Sequence, residues 1–142
     1  MPSEDKNVLN RRFSPRIDFD EEKHIYTADG VIVPSVTEIL APLHRSYGKV
    51  NQSVLDYAAM RGKAVHSALE SYDLGGDIEA SPEMIPFIDA YFDWCDVYRP
   101  NWTHVEHMVF SREGWYAGTL DRMGYLNDGK LAIVDIKTST PN

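Results

Sequence analysis

The chain has a single cysteine, Cys95, in 142 residues. An intramolecular disulfide is therefore excluded, and a reducing, cytoplasmic setting is the simplest expectation. Long apolar runs are missing as well. No stretch approaches the roughly 18 residues of a membrane span, and the opening MPSEDKNVLNRRF has no apolar core of signal-peptide length. There is no internal repeat and no low-complexity segment. Positive charge is scarce, with 14 Lys and Arg against 22 Asp and Glu and a net charge of −8, which argues against a surface that grips phosphates over its whole extent. The shortage is uneven. Residues 1–64 hold nine basic and nine acidic side chains, so the deficit falls on residues 65–142. Arg45, Lys49, Arg61 and Lys63 are the expected local contacts with a polyanion.

What is present suits one globular domain over residues 1–142, with residues 1–13 expected to be disordered and 43% hydrophobic content to build a core. RIDFDEEKHIYTADGVIV alternates apolar and polar residues around turn-prone Asp, Glu and Gly, which predicts short antiparallel strands forming a small N-terminal hairpin. Ser35 with Glu38 has capping-box spacing for a short helix. Leu55, Ala58, Gly62, Val65, His66 and Leu69 recur at helical spacing and predict a long helix from about Ser53 to Tyr72. Ser81-Pro82-Glu83 opens a second that runs to Tyr98 before Pro100. Trp102 to Phe110, Tyr116 to Leu126 and Lys130 to Lys137 then read as an antiparallel three-strand meander. The class is α+β.

The last of these strands, LAIVDIKTST, carries Asp135 and Lys137 in a β-prone run. If buried, such charges cost several kcal/mol unless they are paired or bound. Side chains alternate faces, so both belong with Leu131 and Ile133, opposite Ala132, Val134 and Ile136. A three-residue loop Asn127-Asp128-Gly129, with Gly129 left-handed, would pair Leu126 with Lys130 and set Asp121 opposite Asp135, whereas a two-residue Asp128-Gly129 loop would put the two carboxylates on opposite faces unless a bulge intervened. Two carboxylates with Cβ atoms roughly 5 Å apart repel by roughly 3 kcal/mol at an effective dielectric of about 20, so the geometry calls for a cation. Lys137 supplies one, and a divalent metal is the other choice. An ion-paired network without chemistry is the plain alternative. His66 lies one turn after Gly62 on the apolar face of the first long helix, where a lone histidine is more often a core residue than a ligand.

Other chemistry is poorly supported. His104 and His107 are three apart in a strand, an odd offset that sends side chains to opposite faces and argues against zinc. Cys95 sits among aromatics and acids in YFDWCDVY, surroundings that raise a thiol pKa and suit a structural cysteine. Trp94, Trp102 and Trp115 could stack on bases, with core or sheet packing the ordinary explanation, and Gly75-Gly76 has no phosphate-loop context.

Taken together, RGKAVHSALE resembles the GxxxH helix motif, VEHMVF the glutamate strand, YAGTLDRM the GTxD strand and VDIKTS the DxKT strand of RecB-type nucleases in the PD-(D/E)xK superfamily. KHIYTADGVIVPSVTEIL resembles the N-terminal segment of the phage and prophage exonuclease branch. The resemblance runs from about Ile17 to Ser139. It implies a restriction-endonuclease-like core and a metal-dependent deoxyribonuclease, a phosphodiesterase acting on DNA in phage replication or recombination in the host cytoplasm. Asp121 and Asp135 would ligate Mg²⁺ or Mn²⁺, His66 and the Ile136 carbonyl would complete the shell, Lys137 would orient or help deprotonate the attacking water and stabilise the developing negative charge, and Glu106 matches the motif glutamate of the catalytic set. In-line attack by water would leave a 5′-phosphate. The resemblance also implies a helix after the DxKT strand, whereas the chain stops at Asn142. The corresponding expectations are a fragment of a longer protein, a naturally short form completed by a second chain or by homo-oligomerisation, or an inactive remnant. The alternative is a non-catalytic DNA-binding or protein-interaction module that keeps the fold.

Overall fold

The computed structural model describes residues 15–43 and 48–139. The expected disorder of residues 1–13 lies outside them, and so does Arg45. The fold is mixed α/β, with two three-stranded antiparallel sheets and three α-helices among the described residues. These form two compact units, one drawn from residues 1–44 and 108–118 and the other from 45–107 and 119–142.

In the first unit β1 (Ile17–Asp20), β2 (Ile25–Ala28) and β3 (Val31–Val33) form a sheet in sequence order. Asp29 and Gly30 both have positive φ, 48° and 82°, the conformation that closes a two-residue hairpin with the right twist. They pair Ala28 with Val31, and the Arg16 backbone N–H donates to Asp29 Oδ1 at 2.8 Å. This second reversal corrects the expected element order. The N-terminal hairpin is a three-stranded sheet, and α1 (Val36–Leu40) with a 3₁₀ turn at Ala41–Leu43 follows before the long helices. The capping box is present. Ser35 Oγ accepts from the Glu38 N–H at 3.1 Å, and the Glu38 carboxylate accepts from the Ser35 N–H at 2.7 Å. Tyr26, Ala28, Val33 and Ala117 are the buried core of this unit.

The second unit holds α2 (Gln52–Asp73), capped by the Asn51 side chain, and α3 (Ile85–Tyr98), entered through a 3₁₀ turn at Pro82–Met84. Arg99, left-handed at φ 44°, ends α3 just before Pro100. Val65, Ala68 and Leu69 from α2 pack with Met84, Ile88 and Tyr91, and Trp102 and Ile136 lean on this cluster. Each large aliphatic buried there contributes about 1.5–3 kcal/mol. No helix of the described residues is long and apolar enough to cross a membrane.

The second sheet runs in the order β4 (Asn101–Ser111), β5 (Tyr116–Tyr125), β6 (Leu131–Val134). The β5–β6 register is the one expected from the turn: Tyr125 pairs with Leu131 and Arg122 with Val134. Gly129 is left-handed at φ 78° and donates to the Leu126 carbonyl at 2.9 Å, while the Leu126 N–H donates to Lys130 O at 3.0 Å. Two expectations fail beyond this point. β6 stops at Val134, short of Lys137, and the face that carries Asp135 and Lys137 is the exposed one. Leu131 and Ile133 on that face are 55% and 70% exposed, so the two charges are not buried in a strand.

Gly124 has no room for a side chain, because a Cβ there would overlap the Asn101 carbonyl and the Trp102 backbone of β4. Gly124→Ala is expected to cost about 1–3 kcal/mol through forced separation of β4 and β5. Urea unfolding checks this, and an unchanged midpoint would show that the strands part without strain.

Candidate metal centre

Three elements far apart in sequence converge in the second unit. His66 comes from α2, Glu106 from β4 and Asp121 from β5, and one ligand atom of each lies within 4.8 Å of the others. His66 Nδ1 is 3.9 Å from Glu106 Oε1 and 3.9 Å from Asp121 Oδ2. The side chains are 30%, 24% and 13% exposed, so each remains reachable from solvent. Adjacent oxygen or nitrogen donors around one ion stand roughly 3 Å apart. The cluster is thus slightly open for a divalent cation.

Local structure explains how each ligand reaches this point. One turn before His66, Gly62 lets Thr138 come close, since a Cβ would sit 2.9 Å from Thr138 Oγ1. Glu106 has φ 47° within β4, a left-handed residue of the kind that marks a bulge and re-aims side chains. Asp121 Oδ2 accepts from the Ile136 N–H at 2.7 Å, so the segment after β6 passes alongside the site. The Ile136 carbonyl expected as a ligand is therefore near the cluster, and its amide is engaged with Asp121.

Asp135 and Lys137 are not part of the three-residue cluster. They bind one another at 2.6 Å, with side chains 60% and 76% exposed. This pair holds the Lys137 ammonium above its ordinary pKa, chiefly through the hydrogen bond to Asp135. Asp121 titrates above the usual carboxylate range because burial disfavours its charge; Glu106 and Asp135 add repulsion, while the Ile136 N–H and His66 oppose the rise. His66 is raised in turn, first by Glu106, against the opposing effect of burial, with help from Asp121 and the Ile136 backbone.

Metal and proton compete for both groups, each held above its ordinary pKa. Binding of Mn²⁺ to the wild-type chain is expected to strengthen as pH rises through and above 6.5, the ordinary histidine value, with net proton release. Calorimetry in buffers of different ionisation enthalpy measures that release, and zero release between pH 6 and 8 would argue against His66 as a ligand.

Sequence reading missed Arg122, the residue after Asp121. Its side chain is completely buried. The guanidinium donates from Nε to Asp73 Oδ2 at 2.8 Å, and from Nη1 to Glu106 Oε1 at 3.1 Å and to the Asp121 carbonyl at 2.8 Å. Asp73 Oδ2 also accepts from Tyr91 OH at 2.6 Å, and Tyr91 OH accepts from Trp102 Nε1 at 3.1 Å. The available signal was weak: an arginine between the apolar strand positions of TLDRM reads as an outward-facing charge.

The expected polyanion contacts separate. Lys49 and Lys63 are exposed. Arg61 is turned inward, with Nη2 on the Thr138 carbonyl at 3.3 Å and the guanidinium 4.6 Å over the Phe87 ring. The zinc argument also needs correction. The left-handed residue at Glu106 breaks strict alternation, and the His104 and His107 rings meet at 4.4 Å instead of lying on opposite faces. Among the described residues, they belong to no cluster of three metal-ligating side chains. Burial pushes the Cys95 thiol up, in keeping with a structural role.

Comparison with protein-family models, curated proteins and solved structures finds no match to this chain.

Proposed function

We propose that the chain is a metal-dependent DNA nuclease with a restriction-endonuclease-like core, hydrolysing phosphodiester bonds in replication or recombination of phage DNA. The observation that carries this reading is the convergence of His66, Glu106 and Asp121 from α2, β4 and β5, three of the motif positions that resemble RecB-type nucleases. The donor set fits a divalent ion. One imidazole and two carboxylates meet in a partly buried site, and repulsion around Asp121 is of the kind a cation relieves. When bound, Mg²⁺ or Mn²⁺ supplies Lewis acidity and lowers the pKa of water.

The chain's own groups have separable tasks. The Ile136 amide holds the Asp121 carboxylate, and Asp135 adds negative charge beside it. Lys137, with its raised pKa, stays protonated at neutral pH. It therefore orients water and stabilises charge on the phosphate oxygens as a donor rather than acting as a base. Exposed Lys49 and Lys63 supply contacts to the DNA backbone.

Mn²⁺ is expected to support faster cleavage of linear DNA than Mg²⁺, because imidazole suits borderline metals better than hard ones. Lys137→Ala is expected to lower that rate by about 10²–10³ and to leave Mn²⁺ affinity unchanged. Equal cleavage by wild type and Lys137→Ala would remove the lysine from the mechanism. DNA binding without cleavage by the wild-type chain would favour a non-catalytic module.

A further inference from the structure

Arg122 touches every element that bears a ligand. It holds α2, the helix of His66, through Asp73 Oδ2 at 2.8 Å. It holds β4 through Glu106 Oε1 at 3.1 Å, and β5 through its own backbone and the Asp121 carbonyl at 2.8 Å. A single atom, Nη1, makes the last two contacts, so the Glu106 carboxylate is fixed relative to the backbone of Asp121. This matters most for Glu106, whose left-handed backbone departs from regular strand geometry and is stable only where its surroundings determine it. Asp73 is itself held by Tyr91 OH, which Trp102 Nε1 holds in turn.

The charges are balanced as well as the geometry. A guanidinium hydrogen-bonded to a ligand carboxylate competes with any cation for that carboxylate. Asp73, with a side chain only 8% exposed, sets a second negative charge against Arg122 and leaves the Glu106 charge available. We propose that Arg122 is a positioning residue that sets the spacing of Glu106, Asp121 and His66, and that Asp73 neutralises it so that the site retains its affinity for a cation. This rests on the reading of the three-residue cluster as a metal site.

The test measures Mn²⁺ affinity by calorimetry and thermal unfolding on the same samples of the full chain: wild type, Asp73→Asn, Arg122→Lys, Tyr91→Phe and Asp121→Asn. Wild type is expected to bind one Mn²⁺ and Asp121→Asn none. Asp73→Asn leaves the Arg122 charge uncompensated, and Arg122→Lys cannot span the three acceptors; each is expected to weaken binding by about tenfold or more. Tyr91→Phe preserves shape and charge and is expected to weaken it about threefold. A purely structural network would lower the melting temperature and leave the affinity of the folded protein alone, which overturns the proposal while the metal site stands. If Asp73→Asn and Arg122→Lys do not fold, unchanged affinity in Tyr91→Phe overturns it. Absence of Mn²⁺ binding by wild type, or wild-type binding by Asp121→Asn, overturns the metal-site reading itself.

Discussion

Asp121→Asn is expected to abolish Mn²⁺ binding, to lower Mn²⁺-dependent DNA cleavage at least about 100-fold, and to raise the melting temperature of the metal-free protein at pH 8. The first two effects follow from removing a charged ligand of the cluster. The third follows from burial. Asn can still accept the Ile136 N–H through Oδ1, whereas the native carboxylate is held above its ordinary pKa of 3.8, chiefly by burial. For a group raised in the folded state, the stability it contributes is complete below the ordinary value and is lost as pH rises through the folded value. At pH 8 the metal-free wild type therefore carries a penalty that the variant lacks. Added Mn²⁺ reverses the order, because ligand at a hundredfold excess over Kd stabilises the wild type by about 2.7 kcal/mol and the variant not at all. Thermal unfolding with and without Mn²⁺ gives both readings. A metal-free Asp121→Asn that melts below wild type at pH 8 would mean that the fold already compensates the Asp121 charge.

Arg122→Met has the largest expected effect on stability. The side chain is fully buried, and its loss leaves Asp73 Oδ2 held by Tyr91 OH. Removing one member of a buried pair costs about 3–5 kcal/mol, against a total stability of about 5–15 kcal/mol for a typical domain. The variant is expected to be partly unfolded at 37 °C. Arg122→Met combined with Asp73→Leu removes the uncompensated charge and is expected to recover much of the loss, since buried pairs can be replaced by apolar side chains at little cost. Urea unfolding of both variants measures the difference. A loss below about 1 kcal/mol in the single variant would mean that water reaches Asp73 when the guanidinium is gone.

Local rules carried much of the fold. The capping box at Ser35 and Glu38 and the two long helices could be read from the sequence, because each depends on neighbours a few residues apart, and the Asn127-Asp128-Gly129 turn narrowed the β5–β6 register to two choices. Gly129 illustrates this best: one left-handed residue in a three-residue loop aligned Tyr125 with Leu131 and Arg122 with Val134. Alternation also assigned Asp135 and Lys137 correctly to the face of Leu131 and Ile133. It says which residues share a face and is silent on which face is covered, so the exposure of that face could not be read from it. His104 and His107 misled for a related reason. Parity holds only in an unbroken strand, and Glu106, a residue with no glycine-like signature, turns left-handed in the middle of β4.

By itself the sequence determined the local elements, the place of the β5–β6 turn and the set of chemically capable side chains. Tertiary structure alone decided which of those side chains meet. His66, Glu106 and Asp121 converge where α2, β4 and β5 meet around the Arg122 guanidinium, while Asp135 and Lys137 lie beyond the end of β6 and pair with one another in solvent. It also decided that Arg122, in sequence an ordinary strand charge, is a buried junction. The energy of a buried charge depends on partners from distant segments, here Asp73 and Glu106, and no local pattern encodes their arrival.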